Sequence, residues 1–374
     1  MHVFLLILVF LFTPSSAHAN AGTPLMWASI LHLIIGNAII GLFEGLLLSW
    51  MYKVPRWQTV TVLVAANYAS AWTGGVWIIG SVKGIPDITI ENVRLWFWLL
   101  VVAAFAVTLI IEFPFIWYAL RSKQRPVMTA LKAVVVIHSI SYIVIFGWYW
   151  NAGEGSLMTE LAIVAPRDIV PATGYNLYYL TSDGSQVIES DLFGNAPRVI
   201  KVISAKNSDS RLYARKDAQG KYDLYVHAAA REREKERNEI VKSDFSDQAP
   251  LDWRHSKENS DDAGGTWFNF GSVPSLARVT DWKYHTGFWP AEGISGENEK
   301  LKLHFRFSME TPYVAWIARN ATHLEGDSVV LQIGDDQICI LDPLKKRIAL
   351  IARGHGCIVA KQKTKGISSH SGKQ

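Results

Sequence analysis

One short and four long apolar runs between Val3 and Trp150 constrain this chain more than any other feature. In hydrocarbon every backbone polar group must be satisfied within its own segment, so about 20 consecutive apolar residues have to be helical. Val3–Phe12 is too short to span and fits the apolar region of an export signal. Ala17-His18-Ala19 and Ala19-Asn20-Ala21 both fit a small-residue cleavage site, so residues 1–21 are predicted to be a cleaved signal peptide.

The four longer runs predict a helical membrane domain over residues 22–150. Its spans are Trp27–Trp50, Gln58–Val82, Leu95–Leu120 and Met128–Trp150. Trp27, Trp50, Trp57, Trp96, Trp98, Trp117, Tyr118, Trp148 and Trp150 sit near their ends, where amphipathic rings favour the headgroup layer. Lys53 and Arg56 follow the first span, and Arg121, Lys123 and Arg125 follow the third. Positive loops stay in the cytoplasm, so the chain after Trp150 is predicted to be extracytoplasmic. The expected location is a bacterial inner membrane, with the lipid bilayer as the first partner.

Beyond Trp150 the chain holds 29 basic and 29 acidic residues. That balance argues against a nucleic-acid partner, which needs a basic footprint. Residues 151–165 read as a linker and 166–360 as a strand-rich domain. Asn176–Thr181 and Gln186–Leu192 flank an Asp183-Gly184 turn and predict a hairpin. Arg211–Arg215 and Tyr222–Val226 predict a second. Tyr313–Ala318, Ser328–Ile333, Gln337–Leu341 and Arg347–Ala352 predict four strands, a blade-like unit. With two such units in view, the tail is expected to be a small or incomplete β-propeller or a β-sandwich.

The alternating charges of Arg231–Arg237 lie in a stretch, 228–263, expected to be a mobile insertion. Trp267, Phe268, Phe270, Trp282, Tyr284, Phe288 and Trp289 form either a β core or an exposed groove for glycan or peptide. Residues 361–374 are expected to be disordered.

Three stretches carry a family resemblance: Asn20–Trp27 (NAGTPLMW), His32–Gly45 (HLIIGNAIIGLFEG) and Gly334–Gly354 (GDDQICILDPLKKRIALIARG). They resemble an uncharacterised family of bacterial membrane proteins. The resemblance implies a signal peptide, four transmembrane helices and an extracytoplasmic β-rich, propeller-like domain, with no assigned activity.

Polar groups inside the apolar runs are costly and need a reason. Glu44 lies on the first span, Asn67 on the second, Glu112 on the third and His138 on the fourth. Counted at 1.5 Å per residue from the flanking basic loops, all four fall within about 9–17 Å, one layer of the bundle. Asn37, Gly41, Glu44 and Gly45 share a face of the first helix, and Gly41-x-x-x-Gly45 permits close helix approach. Pro114 follows Glu112 by two residues and frees a backbone carbonyl nearby. Three readings stay open for Asn37, Glu44, Asn67, Glu112 and His138: a packing cluster of hydrogen bonds, a proton or small-ion relay, or a metal site. The ligand types suit a metal, but no tight spacing such as His-x-x-x-His occurs, so none is expected from the pattern.

No nucleotide loop, dinucleotide fingerprint or nucleophile elbow is present, and no cofactor is expected. Cys339 and Cys357 are the two cysteines, and in an oxidising compartment they are candidates for a disulfide. The bridge requires the bend at Gly354 and Gly356 to return Cys357 toward the strand of Cys339, within about 7 Å between Cα atoms. Taken together, the residues lead to a non-enzymatic envelope protein whose outer domain binds a protein or glycan. A transport or proton-coupled component using Glu44, Glu112 and His138 is the alternative.

Overall fold

The computed structural model describes residues 35–82, 88–152, 161–169, 174–207, 209–229, 237–250, 271–278, 280–287, 293–307 and 316–363. The predicted signal peptide, the start of the first span and most of the charged stretch lie outside these residues. So do Trp267, Phe268, Phe270, Phe288, Trp289 and the end of the chain after Lys363.

The helices and the strands belong to two separate compact units. The helical one holds α1 (Asn37–Tyr52), α2 (Arg56–Val82), α3 (Val93–Leu120) and α4 (Pro126–Ala152). Helices α3 and α4 are long and apolar enough to cross a membrane. Consecutive helices pack on each other, and α4 closes on α1. The tightest contact is between α1 and α2, at two glycines. A Cβ on Gly41 would stand 2.5 Å from the Val64 Cα, and one on Gly45 2.6 Å from the Val60 Cα. Only hydrogen fits, so the two backbones touch along the face that carries Glu44. Helix α3 runs unbroken through Pro114.

An apolar cluster of Leu48, Val54, Leu63, Ile116, Leu120, Ala130, Ala133, Val134 and Ile137 fills the end of this unit nearest the short α1–α2 and α3–α4 loops. All nine are under 10 % exposed.

The second unit is built from four sheets in a propeller-like arrangement, which settles the choice between propeller and sandwich and doubles the two blades expected. The first blade runs β16 (His355–Lys361), β2 (Tyr175–Leu180), β3 (Gln186–Ser190), β4 (Arg198–Val202). The second is β5 (Arg211–Lys216), β6 (Tyr222–Ala228), β7 (Arg237–Ser246). The third is β8 (Gly271–Ser272), β9 (Trp282–Gly287), β10 (Gly293–Asn298), β11 (Leu303–Phe307). The fourth is β12 (Ala318–His323), β13 (Val329–Ile333), β14 (Gln337–Asp342), β15 (Arg347–Arg353), with β1 (Ala162–Ile163) on its outer edge.

The ring is clasped twice. The last strand, β16, pairs antiparallel with β2 in the first blade, and the first strand, β1, pairs parallel with β15 in the fourth. Residues expected to be linker therefore include a strand at Ala162–Ile163. Strand β2 reads as a nearly continuous apolar run because both its faces are buried. Leu177 and Tyr179 enter one core with Ile338, Ile340 and Val359. Tyr178 and Leu180 enter another with Leu212, Leu224 and Phe245.

One further expectation needs correcting. The charged stretch is not wholly an insertion, since Arg237–Ser246 is a ten-residue strand paired with β6. Backbone pairing is indifferent to charge when the side chains can reach water, and in β7 only Phe245 and Ser246 are buried. Of the strand expected at Tyr313–Ala318 only residues 316–318 are among the described residues; the strand described there runs over Ala318–His323, with a bulge between Arg319 and Thr322 that breaks the simple alternation. Of the two readings of the aromatic-rich segment, the described Trp282 and Tyr284 follow the core one, stacked with centroids 5.5 Å apart and packed on Phe305.

Candidate functional site

The polar residues of the four helices meet in one buried centre. Glu44 is its hub. Asn67 Nδ2 donates to Glu44 Oε2 at 2.7 Å, Ser141 Oγ donates to Glu44 Oε1 at 2.5 Å, and His138 Nδ1 lies 2.9 Å from the same oxygen. The Gly41 and Gly45 contact brings Glu44 within reach of α2. On the far side Ser70 Oγ donates to Glu112 Oε1 at 2.6 Å. Glu44, Glu112 and His138 are each 1 % exposed or less.

One relationship in this centre is left open. His138 Nε2 and Glu112 Oε2 face each other at 3.4 Å. Both atoms are buried and neither makes a hydrogen bond. Their opposite ends are pinned, His138 Nδ1 by Glu44 and Glu112 Oε1 by Ser70. Two carboxylates share one imidazole, and no Lys or Arg pairs with them among the described residues. With both carboxyls ionised, even an imidazolium leaves a negative charge uncompensated, a costly arrangement away from water. The residues Glu44, Glu112 and His138 each turn one ligand atom into a space where these atoms lie within 4.8 Å of one another.

The centre is polarised along the helices. The apolar cluster begins one turn toward the short loops, at Leu48, Leu63, Ile116 and Val134. Toward the opposite end, each helix continues with a polar side chain: Asn37, Ser70, Thr108, and Ser141 with Tyr142. The Thr108 and Tyr142 hydroxyls are 3.5 Å apart. An apolar plug thus closes one side of the centre, and on the other the polar groups meet the packed rings of Phe105, Tyr142, Phe146 and Trp98.

Glu44, Asn67, Glu112 and His138, expected in one layer, are in contact. Asn37 is buried on the same face of α1, seven residues before Glu44. Ser70 and Ser141 were missed. Each stands three residues after a polar residue already singled out, Asn67 and His138, so helical periodicity was the available signal.

Cys339 and Cys357 are buried and no disulfide joins them. Cys339 pairs across β14 with Leu331 and Leu350 in the fourth blade. Gly356, at φ +60°, crosses against Ser210 and Arg211 where a Cβ would stand 2.5 Å from the backbone. That crossing carries Cys357 into the first blade instead of back toward Cys339. Its thiol donates to the Asn320 carbonyl at 3.6 Å, and burial pushes its pKa up to about 12.

The β unit has a polar centre of its own. Gln332 is fully buried; its Oε1 accepts from Asn320 Nδ2 at 2.7 Å and from the Gly356 N–H at 2.8 Å. Arg319 is buried with Nη1 3.2 Å from Asp209. These contacts tie β12, β13 and β16 together where the first and fourth blades meet, a structural role. No protein-family model matches this chain, and no curated protein matches it at a significant level.

Proposed function

We propose that this chain is a multi-span membrane protein that binds a small cation at the Glu44–Glu112–His138 centre and couples that binding to transport or signalling across the bilayer. In this reading α1 to α4 are the four spans, as in the family that the chain resembles. The short basic loops face the cytoplasm and the β unit lies outside. The observation that carries the reading is the unpartnered, buried pair His138 Nε2 and Glu112 Oε2 beside a second carboxylate. Ionisable groups in membrane helices are rare, face the bundle interior and mark ion pathways and proton relays. The polar side chains on one side of the centre and the apolar plug on the other make the site asymmetric along the helices, with its polar side outward in this orientation.

Reconstituted vesicles test it. Cation or proton flux by the wild type, lost in a Glu44→Gln/Glu112→Gln variant that still melts cooperatively, is the expected result. Equal flux from variant and wild type overturns the reading. Orientation is tested separately: a reporter active only in the cytoplasm should report when inserted near Gln124 and stay silent after Gln374.

A second reading concerns the β unit as an extracytoplasmic binding module for a protein or glycan. It is favoured by the double clasp of β16 and β1, which closes a rigid ring able to carry variable loops. Co-purification of a defined partner after gentle detergent extraction, lost when the β unit is deleted, is the expected outcome.

A further inference from the structure

The geometry points to a divalent first-row transition metal of the zinc or cobalt class as the cation of this centre, with His138 Nε2 and Glu112 Oε2 as its protein ligands. The inference rests on reading the triad as a cation site and adds the identity of the cation. A tetrahedral ion bound at about 2.0–2.1 Å holds neighbouring ligand atoms about 3.3–3.4 Å apart. His138 Nε2 and Glu112 Oε2 are 3.4 Å apart. That is long for a hydrogen bond, and neither atom has another partner.

The groups behind the ligands support the same conclusion. A ligating imidazole presents one nitrogen to the metal and gives its other N–H to a carboxylate, which fixes the ring and raises its basicity. Glu44 Oε1 stands 2.9 Å from His138 Nδ1 in that position. Glu44 is itself held by Asn67 and Ser141. Glu112 is oriented in turn by Ser70 through Oε1, leaving Oε2 for the ion. An imidazole in the ligand set selects against magnesium and calcium, which prefer oxygen alone. Two protein ligands leave the remaining positions to water or an incoming group, a site suited to reversible occupancy.

Full-length protein in detergent, stripped with chelator and titrated with cobalt(II), tests the inference. About one equivalent should bind, with visible absorption bands typical of a low-coordinate nitrogen–oxygen site. Glu112→Gln should abolish binding. Ser70→Ala, which leaves both ligands in place, should weaken it by about 10- to 100-fold. Glu91→Gln, an exposed carboxylate, should bind as the wild type does. Absence of cobalt on the folded wild type, or undiminished binding by a folded Glu112→Gln variant, overturns the inference. Vesicle flux that depends on Glu44 and Glu112 without cobalt binding overturns the metal assignment and leaves the cation site standing. Loss of both removes both.

Discussion

His138 Nδ1 lies 2.9 Å from Glu44 Oε1 although 94 residues separate them in the chain. This contact joins the first helix to the last and places an imidazole between two carboxylates. It depends on α1 and α2 lying close enough for Asn67 to hold the other oxygen of Glu44. The centre therefore inherits its geometry from a backbone contact at two glycines.

Gly41→Ala should disturb that geometry. Its methyl would meet the Val64 Cα at 2.5 Å, and α1 must move to admit it. Overpacking of this kind costs about 1–3 kcal/mol. A melting temperature several degrees lower is expected for the detergent-solubilised protein. Substitution of the exposed Ile39 by Leu should change nothing. An unshifted melt for Gly41→Ala would show that the helices are looser than described.

In the first blade, Glu189 accepts from Tyr178 Oη at 2.9 Å and pairs with Arg198 and Lys242. Burial alone would raise its pKa, but these donors outweigh it and hold the carboxyl below its usual range. A lowered carboxylate adds stability that is present above about pH 4.3 and fades as pH falls through its folded-state value. Glu189→Gln should destabilise the β unit by about 1–3 kcal/mol at neutral pH and flatten its acid limb. Parallel acid titrations of wild type and variant would refute the assignment.

His323 and His355 give the opposite pairing of group and pH. Burial lowers both, with Arg319 adding to the effect at His355 and Asp327 opposing it at His323. Unfolded histidine takes up its proton near pH 6.5, before either folded one does. Stability should thus decline as pH falls below about 6.5. His355→Asn should lessen that decline, measured as melting temperature between neutral and mildly acidic pH. A wild-type melt that is flat across that interval contradicts the burial of both rings.

The cysteines should react only after unfolding. Cys339 and Cys357 are buried thiols in different blades, and burial raises the Cys357 pKa to about 12. Iodoacetamide should leave the native protein unmodified and label both thiols in denaturant without reductant. An intact mass showing a bridged pair in the exported protein would refute the separate placement.

The clasp of β16 should be indispensable. A chain ending at Gly354 leaves β2 without its inner neighbour and exposes Leu177, Tyr178, Tyr179 and Leu180, all now under 10 % exposed. Loss of cooperative melting and rapid proteolysis of the β unit are expected. A truncated chain that melts as the full one does would show the ring closed without it.

The amino-acid sequence determined what local rules can determine. Apolar length gave the helices, and Glu44, Asn67, Glu112 and His138 fell at one depth because depth is counted linearly along a helix. The hairpins at Asp183-Gly184 and over Arg211–Arg215 and Tyr222–Val226 were legible from patterns acting over a few positions. Tertiary structure alone decided the rest. The rotation of four helices about their axes made a shared depth into a contact, and added Ser70 and Ser141. Completion of the first blade depended on β16 returning to β2, a pairing across the whole β unit that no local pattern encodes. Cys357 shows the same limit. Two glycines told of a bend, but its direction was set by packing against Ser210 and Arg211, where the backbone approach leaves room for hydrogen only.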